Sequence, residues 1–142
     1  MLTISKATKK ETKNWAKREW KKVETGHFGT HVDMDKKNYR FKAVEDEKIV
    51  GMITGKYEGG VLYISQLITD ENFRGRGIGS KLIKTAEDFG RKYNAHISWL
   101  ITGREWSENI FYKKMGYKLI ATIPNFYGHK DFVIYTKEVG KN

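Results

Sequence analysis

Apolar and polar positions along this chain change period several times, and each change marks an element. Leu2 to Ser5 alternates briefly and reads as a short first strand. Thr8-Lys9-Lys10-Glu11 has the form of a capping box, and Trp15, Ala16, Trp20 and Val23 then recur at helical spacing. Glycines at 26 and 29 interrupt the pattern, so Thr25 to Asn38 is predicted as a loop with a short helix. Tyr39 to Glu45 and Lys48 to Glu58 are strands joined across Asp46-Glu47. Gly59-Gly60 signals a two-residue hairpin into the apolar run Val61 to Thr69.

After a glycine-rich turn, Ile78, Leu82, Ile83, Ala86, Phe89 and Tyr93 mark one face of a second helix. His96 to Ile101 is a strand, Glu105 to Met115 a helix closed by Gly116, and Tyr117 to Thr122 a strand. Pro124-Asn125 makes a turn, and Asp131 to Thr136 is the last strand. A meander feeding strand–helix units predicts an α/β (α+β) fold, a mixed sheet with helices on both faces.

The turn before the second helix is the most informative segment: Arg74-Gly75-Arg76-Gly77-Ile78-Gly79. It lies between a strand and a helix, where backbone N–H groups lack intrahelical acceptors and can hold a phosphate. Alternate glycines let an anion approach the backbone, and Arg74 and Arg76 add cationic donors. A Walker loop would need a Gly-Lys-Ser/Thr ending, which is missing. A dinucleotide fingerprint would need a third glycine where Ser80 stands, and an acidic residue where Leu100-Ile101-Thr102 ends the next strand. An arginine–glycine RNA-binding tract would come as a repeat in disordered sequence.

Composition bounds the rest. The 142 residues suffice for a single domain with one core. There is no cysteine, hence no disulfide framework or thiolate metal site. No apolar run of about 18 residues suggests a membrane span, and Met1 to Lys6 lacks the features of a secretory signal, so a cytoplasmic location is expected. The net charge of +10 would suit nucleic acid, an acidic surface or a polyanionic ligand. Its lysine pairs are scattered, which fits a solvated surface better, and no nucleic-acid partner is expected. His27 and His31 are four apart without a third ligand nearby, so no metal site is expected.

With these residues in view, the chain resembles the GCN5-related N-acetyltransferase (GNAT) superfamily. Arg74, Gly77 and Gly79 match that family's acyl-CoA loop, Arg/Gln-x-x-Gly-x-Gly/Ala. Phe111 to Tyr117 looks like its Tyr-x-x-x-Gly-Phe/Tyr element, and Ile123 to Gly128 like the start of its last hairpin. The resemblance implies a largely antiparallel sheet of about seven strands in one domain over residues 1–142, splayed at the strand before the glycine loop. It implies acetyl-CoA as co-substrate, a primary amine as acceptor (a small molecule or a protein N-terminus), and a homodimer as one assembly. A non-catalytic acyl-CoA-binding domain is the alternative.

Roles follow from the resemblance residue by residue. The amides of Gly75, Arg76, Gly77, Ile78, Gly79 and Ser80 would hold the diphosphate. The edge Leu67-Ile68-Thr69 would pair with the pantetheine arm as an added strand does. Asn109 would hydrogen-bond pantetheine. Tyr112, four residues before Gly116, would protonate the departing thiolate; on its own it reads equally as a packed helix tyrosine. The positions where two branches of the family carry a glutamate base hold Tyr63 and Leu100. Glu58, expected opposite Val61 on the face of Tyr63, is the substitute, or else a solvated strand-end glutamate. Trp106, Phe126 and Tyr127 are expected near the acceptor.

Overall fold

The alternations condense onto a sheet of six strands in the structure, a computed structural model that describes residues 1–30 and 32–140. The chain forms two compact units, Met1–Met34 and Asp35–Asn142, and each is described by itself.

The first unit is one helix, α1 (Lys9–Phe28). Thr8 and Glu11 form the capping box: Glu11 N donates to Thr8 Oγ1 at 3.2 Å, and Thr8 N donates to Glu11 Oε2 at 2.6 Å. Two expectations need correction here. Leu2 to Ser5 carries no strand and is exposed, because a four-residue alternation offers too few ladder hydrogen bonds to hold itself. Gly26 does not break the helix, since an interior glycine costs only about 1 kcal/mol against alanine. The stop falls at Gly29 (φ +69°), whose N–H reaches Thr25 O at 3.0 Å. His27 is therefore helical, and His31 lies outside the described residues.

The second unit contains β1 (Lys37–Glu45), β2 (Lys48–Glu58), β3 (Val61–Thr69), α2 (Ile78–Lys92), β4 (Ile97–Gly103), α3 (Glu108–Lys114), β5 (Lys118–Ile123) and β6 (Phe132–Glu138). The spatial order is β1-β2-β3-β4-β6-β5, with β3 and β4 parallel and every other pair antiparallel. The sheet thus has six strands where about seven were expected, the absent one being Leu2 to Ser5.

One helix face builds the core. Leu82, Ile83, Ala86 and Gly90 of α2 are buried against β1, β2 and β3, among Ile53, Leu62 and Ile64. Glu87 shares that face yet is only 2 % exposed. A buried carboxylate needs partners, and Lys137 Nζ supplies them at 2.9 and 3.1 Å, with the Tyr117 hydroxyl donating at 3.0 Å. Ser98 Oγ stands 2.8 Å from that hydroxyl and completes the network. Burial pushes the Tyr117 phenol well above its ordinary pKa. This arrangement ties α2, β4 and β6 into one layer beneath the fork described next.

Candidate active site

β3 and β4 are register partners over only three positions: Val61↔Ile97, Leu62↔Ser98 and Tyr63↔Trp99. Beyond Tyr63 they part. β3 stays paired with β2 as far as Thr69, and β4 stays paired with β6 as far as Gly103. Among the described residues, nothing pairs the β4-facing edge of β3 from Ile64 to Thr69, which leaves alternate N–H and C=O groups open there.

A bulge lies where the strands part. Between Gly55↔Ile64 and Thr54↔Gln66, Ser65 has no partner on β2, and such an extra residue bends and twists the strand that carries it. The bulge depends on Gly55, because a Cβ there would run into the Tyr63 carbonyl and the Tyr39 hydroxyl. That hydroxyl donates to the Tyr63 carbonyl at 2.8 Å, tying β1 to β3 across Gly55.

The glycine turn faces the open edge. Gly75 and Gly77 stand at φ +79° and +80°, a left-handed conformation that side chains resist, while Arg76 between them does not. A Cβ at either glycine would point into open space. Gly77 caps α2, and the first helical bond there is Lys81 N to Gly77 O at 3.1 Å. The N–H groups before it, through Ser80, receive no side-chain cap, in contrast with the complete cap on α1. Gly79 has a different reason: its Cβ would meet the Phe111 ring of α3 at 3.2 Å, so a glycine lets that ring sit close against α2.

Between these elements lies a cavity of about 620 Å³. Leu67, Ile68 and Thr69 form one wall, and the turn supplies Arg74, Gly75, Gly77, Ile78, Gly79 and Ser80. α3 and its approach close it with Ser107, Glu108, Phe111 and Tyr112, and Phe73 also contributes. Ten of the twelve residues expected at the site therefore line one cavity. Phe111, beside Tyr112 in the family-like segment, lines it as well, and so do Phe73, Ser107 and Glu108, which no periodicity or motif singled out.

Tyr112 is 8 % exposed, and its ring packs near Tyr117 and Tyr135 at 6.3 and 6.0 Å between centroids. Its hydroxyl has no hydrogen-bond partner among the described residues. No fully enclosed side-chain polar atom there lacks a partner, so this hydroxyl opens to the cavity. Burial, and secondarily the Glu108 carboxylate one turn earlier, pushes its pKa up to about 12.

The two remaining residues are placed differently. Arg76 turns away, its guanidinium 3.6 Å from Glu45 and 4.8 Å from the centre of the Phe73 ring. Asn109 is engaged at both ends of its amide. Its Nδ2 donates to the carbonyls of Trp106 (2.6 Å), Gly103 (2.9 Å) and Arg104 (3.3 Å), and its Oδ1 accepts from the Tyr135 hydroxyl at 2.6 Å. It shapes the turn into α3, which is why that helix starts at Glu108 rather than Glu105, and it does not line the cavity.

Glu58 opposes Val61 as expected. It sits at the hairpin end of β3, six residues and roughly 20 Å along the strand from Leu67, and lines neither this cavity nor the hollow described below. Leu100 is core. Asp70 caps a helical turn by accepting from Asn72 N at 2.9 Å. Trp106 covers Gly103 and, like Phe126 and Tyr127, packs on Phe132. Among the described residues no group of three or more His, Cys, Asp or Glu side chains could hold a metal, and no helix is long and apolar enough to cross a membrane.

A sheet forked beside an uncapped, glycine-lined helix start defines the class: an α/β fold with one strand edge open to a cavity. The chain belongs to the acetyltransferase (GNAT) family, whose pattern matches residues 8–117. It is 30% identical over 82 residues to blasticidin-S acetyltransferase of Streptomyces morookaense, covering 58% of this chain and 60% of that protein. The matches to curated relatives span about three fifths of those proteins' length. Among solved structures, an acetyltransferase from Bacillus cereus shares the fold at a TM-score of 0.73 and 22% identity, over 96% of this chain and 97% of that one. So does an aminoglycoside 6'-N-acetyltransferase complexed with coenzyme A, at a TM-score of 0.66 and 19% identity over 74% of each chain.

Proposed function

We propose that this chain is an N-acetyltransferase that moves an acetyl group from acetyl-CoA directly to a primary amine within a ternary complex. One observation carries the reading: an uncapped helix start, an open strand edge and a cavity-facing phenol surround a single cavity. In this reading the amides of residues 75–80 hold the diphosphate, Arg74 adds charge, and the Leu67–Thr69 edge pairs with the pantetheine amides. The match to blasticidin-S acetyltransferase supports a small-molecule acceptor.

The amine nitrogen attacks the thioester carbonyl, a C–N bond forms, and the C–S bond breaks. The sulfur needs a proton and the cationic nitrogen must lose one. Tyr112, protonated at any working pH, hands its proton to the sulfur and regains one from that nitrogen, a far stronger acid than the phenol. Attack requires a neutral amine. Near pH 7 an α-amino group (pKa about 7.8) is neutral about a tenth of the time, and a lysine (about 10.4) less than about one time in a thousand. Tyr63 and Leu100 offer no carboxylate for that deprotonation, so acceptors of low pKa suit this site best.

The test is thiol release from acetyl-CoA across a panel of primary amines. At least one amine is expected to accelerate release, and Gly77→Glu is expected to abolish thermal stabilisation by CoA. Saturable CoA binding without release across a broad panel would replace this reading with the non-catalytic one. Stabilisation that survives Gly77→Glu would move the diphosphate elsewhere.

A further inference from the structure

A second hollow, of about 420 Å³, lies on the opposite face of the sheet. On β2, Gly51, Ile53 and Tyr57 face α2: a Cβ at Gly51 would meet Ile78 and Leu82 at 3.1 Å, and Tyr57 packs on Tyr93. Alternation therefore turns Thr54 and Lys56 to the other side. Register adds Arg40 opposite Thr54 and Tyr63 opposite Lys56, and the bulged Ser65 completes the wall. The hollow and the acetyl-CoA cavity thus border the same strand, meeting it at Ser65 and Leu67, where β3 has left β4.

Its chemistry is one-sided. Arg40 and Lys56 bring two cations, Thr54, Ser65 and Tyr63 bring hydroxyls, and no carboxylate lines it. Among the described residues, the Arg40 guanidinium has one hydrogen-bond partner, the Met52 sulfur, at 3.9 Å from Nη1. Lys56, half-buried, has no ion-pair partner among the described residues, and Glu58 on the same face is not within salt-bridge distance. Thr54 Oγ1 donates to Gln66 Oε1 at 3.2 Å and Ser65 to the Tyr63 hydroxyl, so the Tyr63 proton is the hydroxyl donor left for a ligand. Two cations without an ion-pair partner among the described residues, beside that donor in a concave wall, make an anion site.

We propose that this hollow binds an anionic group, carboxylate or phosphate, on the amine acceptor, with Arg40 and Lys56 reading its charge and the Tyr63 hydroxyl donating to its oxygens. The inference rests on the acetyl-transfer reading and narrows its substrate class to amines that carry an anion. Ser65 and Leu67 are separated by roughly 7 Å along the strand, a spacing that suits an amine and an anion set farther apart than in an α-amino acid.

The experiment uses ω-amino acids of increasing chain length with their carboxamides, and aminoalkyl phosphates with the corresponding amino alcohols, each with acetyl-CoA. The anionic member of at least one pair is expected to have a kcat/KM tenfold or more above its neutral partner. Carboxylate and phosphate arms identify which anion is read. In Arg40→Gln and Lys56→Gln that ratio is expected to fall toward one, chiefly through the KM of the anionic member. Equal use within every pair, or a preference that survives both substitutions, overturns the proposal. A separate arm titrates the N-acetylated ω-amino acids and their amides by NMR. If no amine is acetylated yet the acids alone shift the Thr54 and Ser65 amides, the anion site stands and the transfer reading fails.

Discussion

Replacing Tyr112 with phenylalanine removes one oxygen and tests the reaction path directly. The ring packing near Tyr117 and Tyr135 is retained, and the lost hydroxyl leaves no partner unpaired, because among the described residues it bonds to nothing. Folding stability should therefore change by less than about 1 kcal/mol. Catalysis should change far more. A positioned acid contributes roughly 10²–10⁴-fold, so kcat is expected to fall about a hundredfold or more, or about 2.7 kcal/mol in barrier. The pH profile adds an independent constraint. Burial raises the phenol to about 12, so the wild-type rate should climb as the acceptor amine loses its proton and should not decline through pH of about 10, where an ordinary tyrosine ionises. Steady-state thiol release between about pH 6 and about pH 11, with CoA-induced stabilisation as the folding control, provides the measurement. Retention of activity within about threefold in Tyr112→Phe, or a wild-type alkaline limb centred near 10, would refute the assigned role.

The remaining predictions concern the frame of the site. Lys137→Met should destabilise by about 2 kcal/mol in urea titration, since it takes the closest cation from the nearly inaccessible Glu87 carboxylate and leaves Arg91 at 3.9 Å and the Tyr117 hydroxyl; adding Glu87→Gln should recover part of the loss, and a strictly additive double variant would show that the pair is not coupled. Gly55→Ala should cost at least about 2 kcal/mol and weaken substrate use, because its Cβ collides with the Tyr63 carbonyl and the Tyr39 hydroxyl at the bulge; a wild-type melting temperature would show that the strand adapts. Asn109→Ala should lower stability by about 2 kcal/mol by releasing the three carbonyls and the Tyr135 hydroxyl it holds, and kcat should fall with it as α3 loosens. Alkaline unfolding should be steep. Tyr39, Tyr112 and Tyr117 all have pKa values raised by burial, so their stabilising contribution is complete below about pH 10 and is lost as pH rises through the raised values. For Tyr112 alone the loss is about 1.4 kcal/mol by about pH 11, and Tyr112→Phe should flatten the dependence of the urea midpoint on pH by that amount.

Much of the site was legible in one dimension because it is made of neighbours in sequence. Gly75 and Gly77 take left-handed conformations that few other residues tolerate, and Ile78 to Tyr93 repeats at helical period, so loop and helix announce themselves. The hairpins at Asp46-Glu47 and Gly59-Gly60 were equally local, all four residues standing at positive φ. Tertiary structure decided what depends on partners distant along the chain. The fork needs β2 to impose a bulge at Ser65, through a close approach at Gly55 that no local pattern encodes. Whether Arg76 faces a ligand or Glu45 depends on where β1 lies, and whether Asn109 is free depends on the Tyr135 hydroxyl arriving from β6. The anion-reading hollow draws on three strands at once, so its two cations look like ordinary surface charge until register places them side by side. Backbone conformation is a property of adjacent residues and can be read from them. Which side chains stay unsatisfied, and therefore available to a substrate, is settled only when distant strands meet.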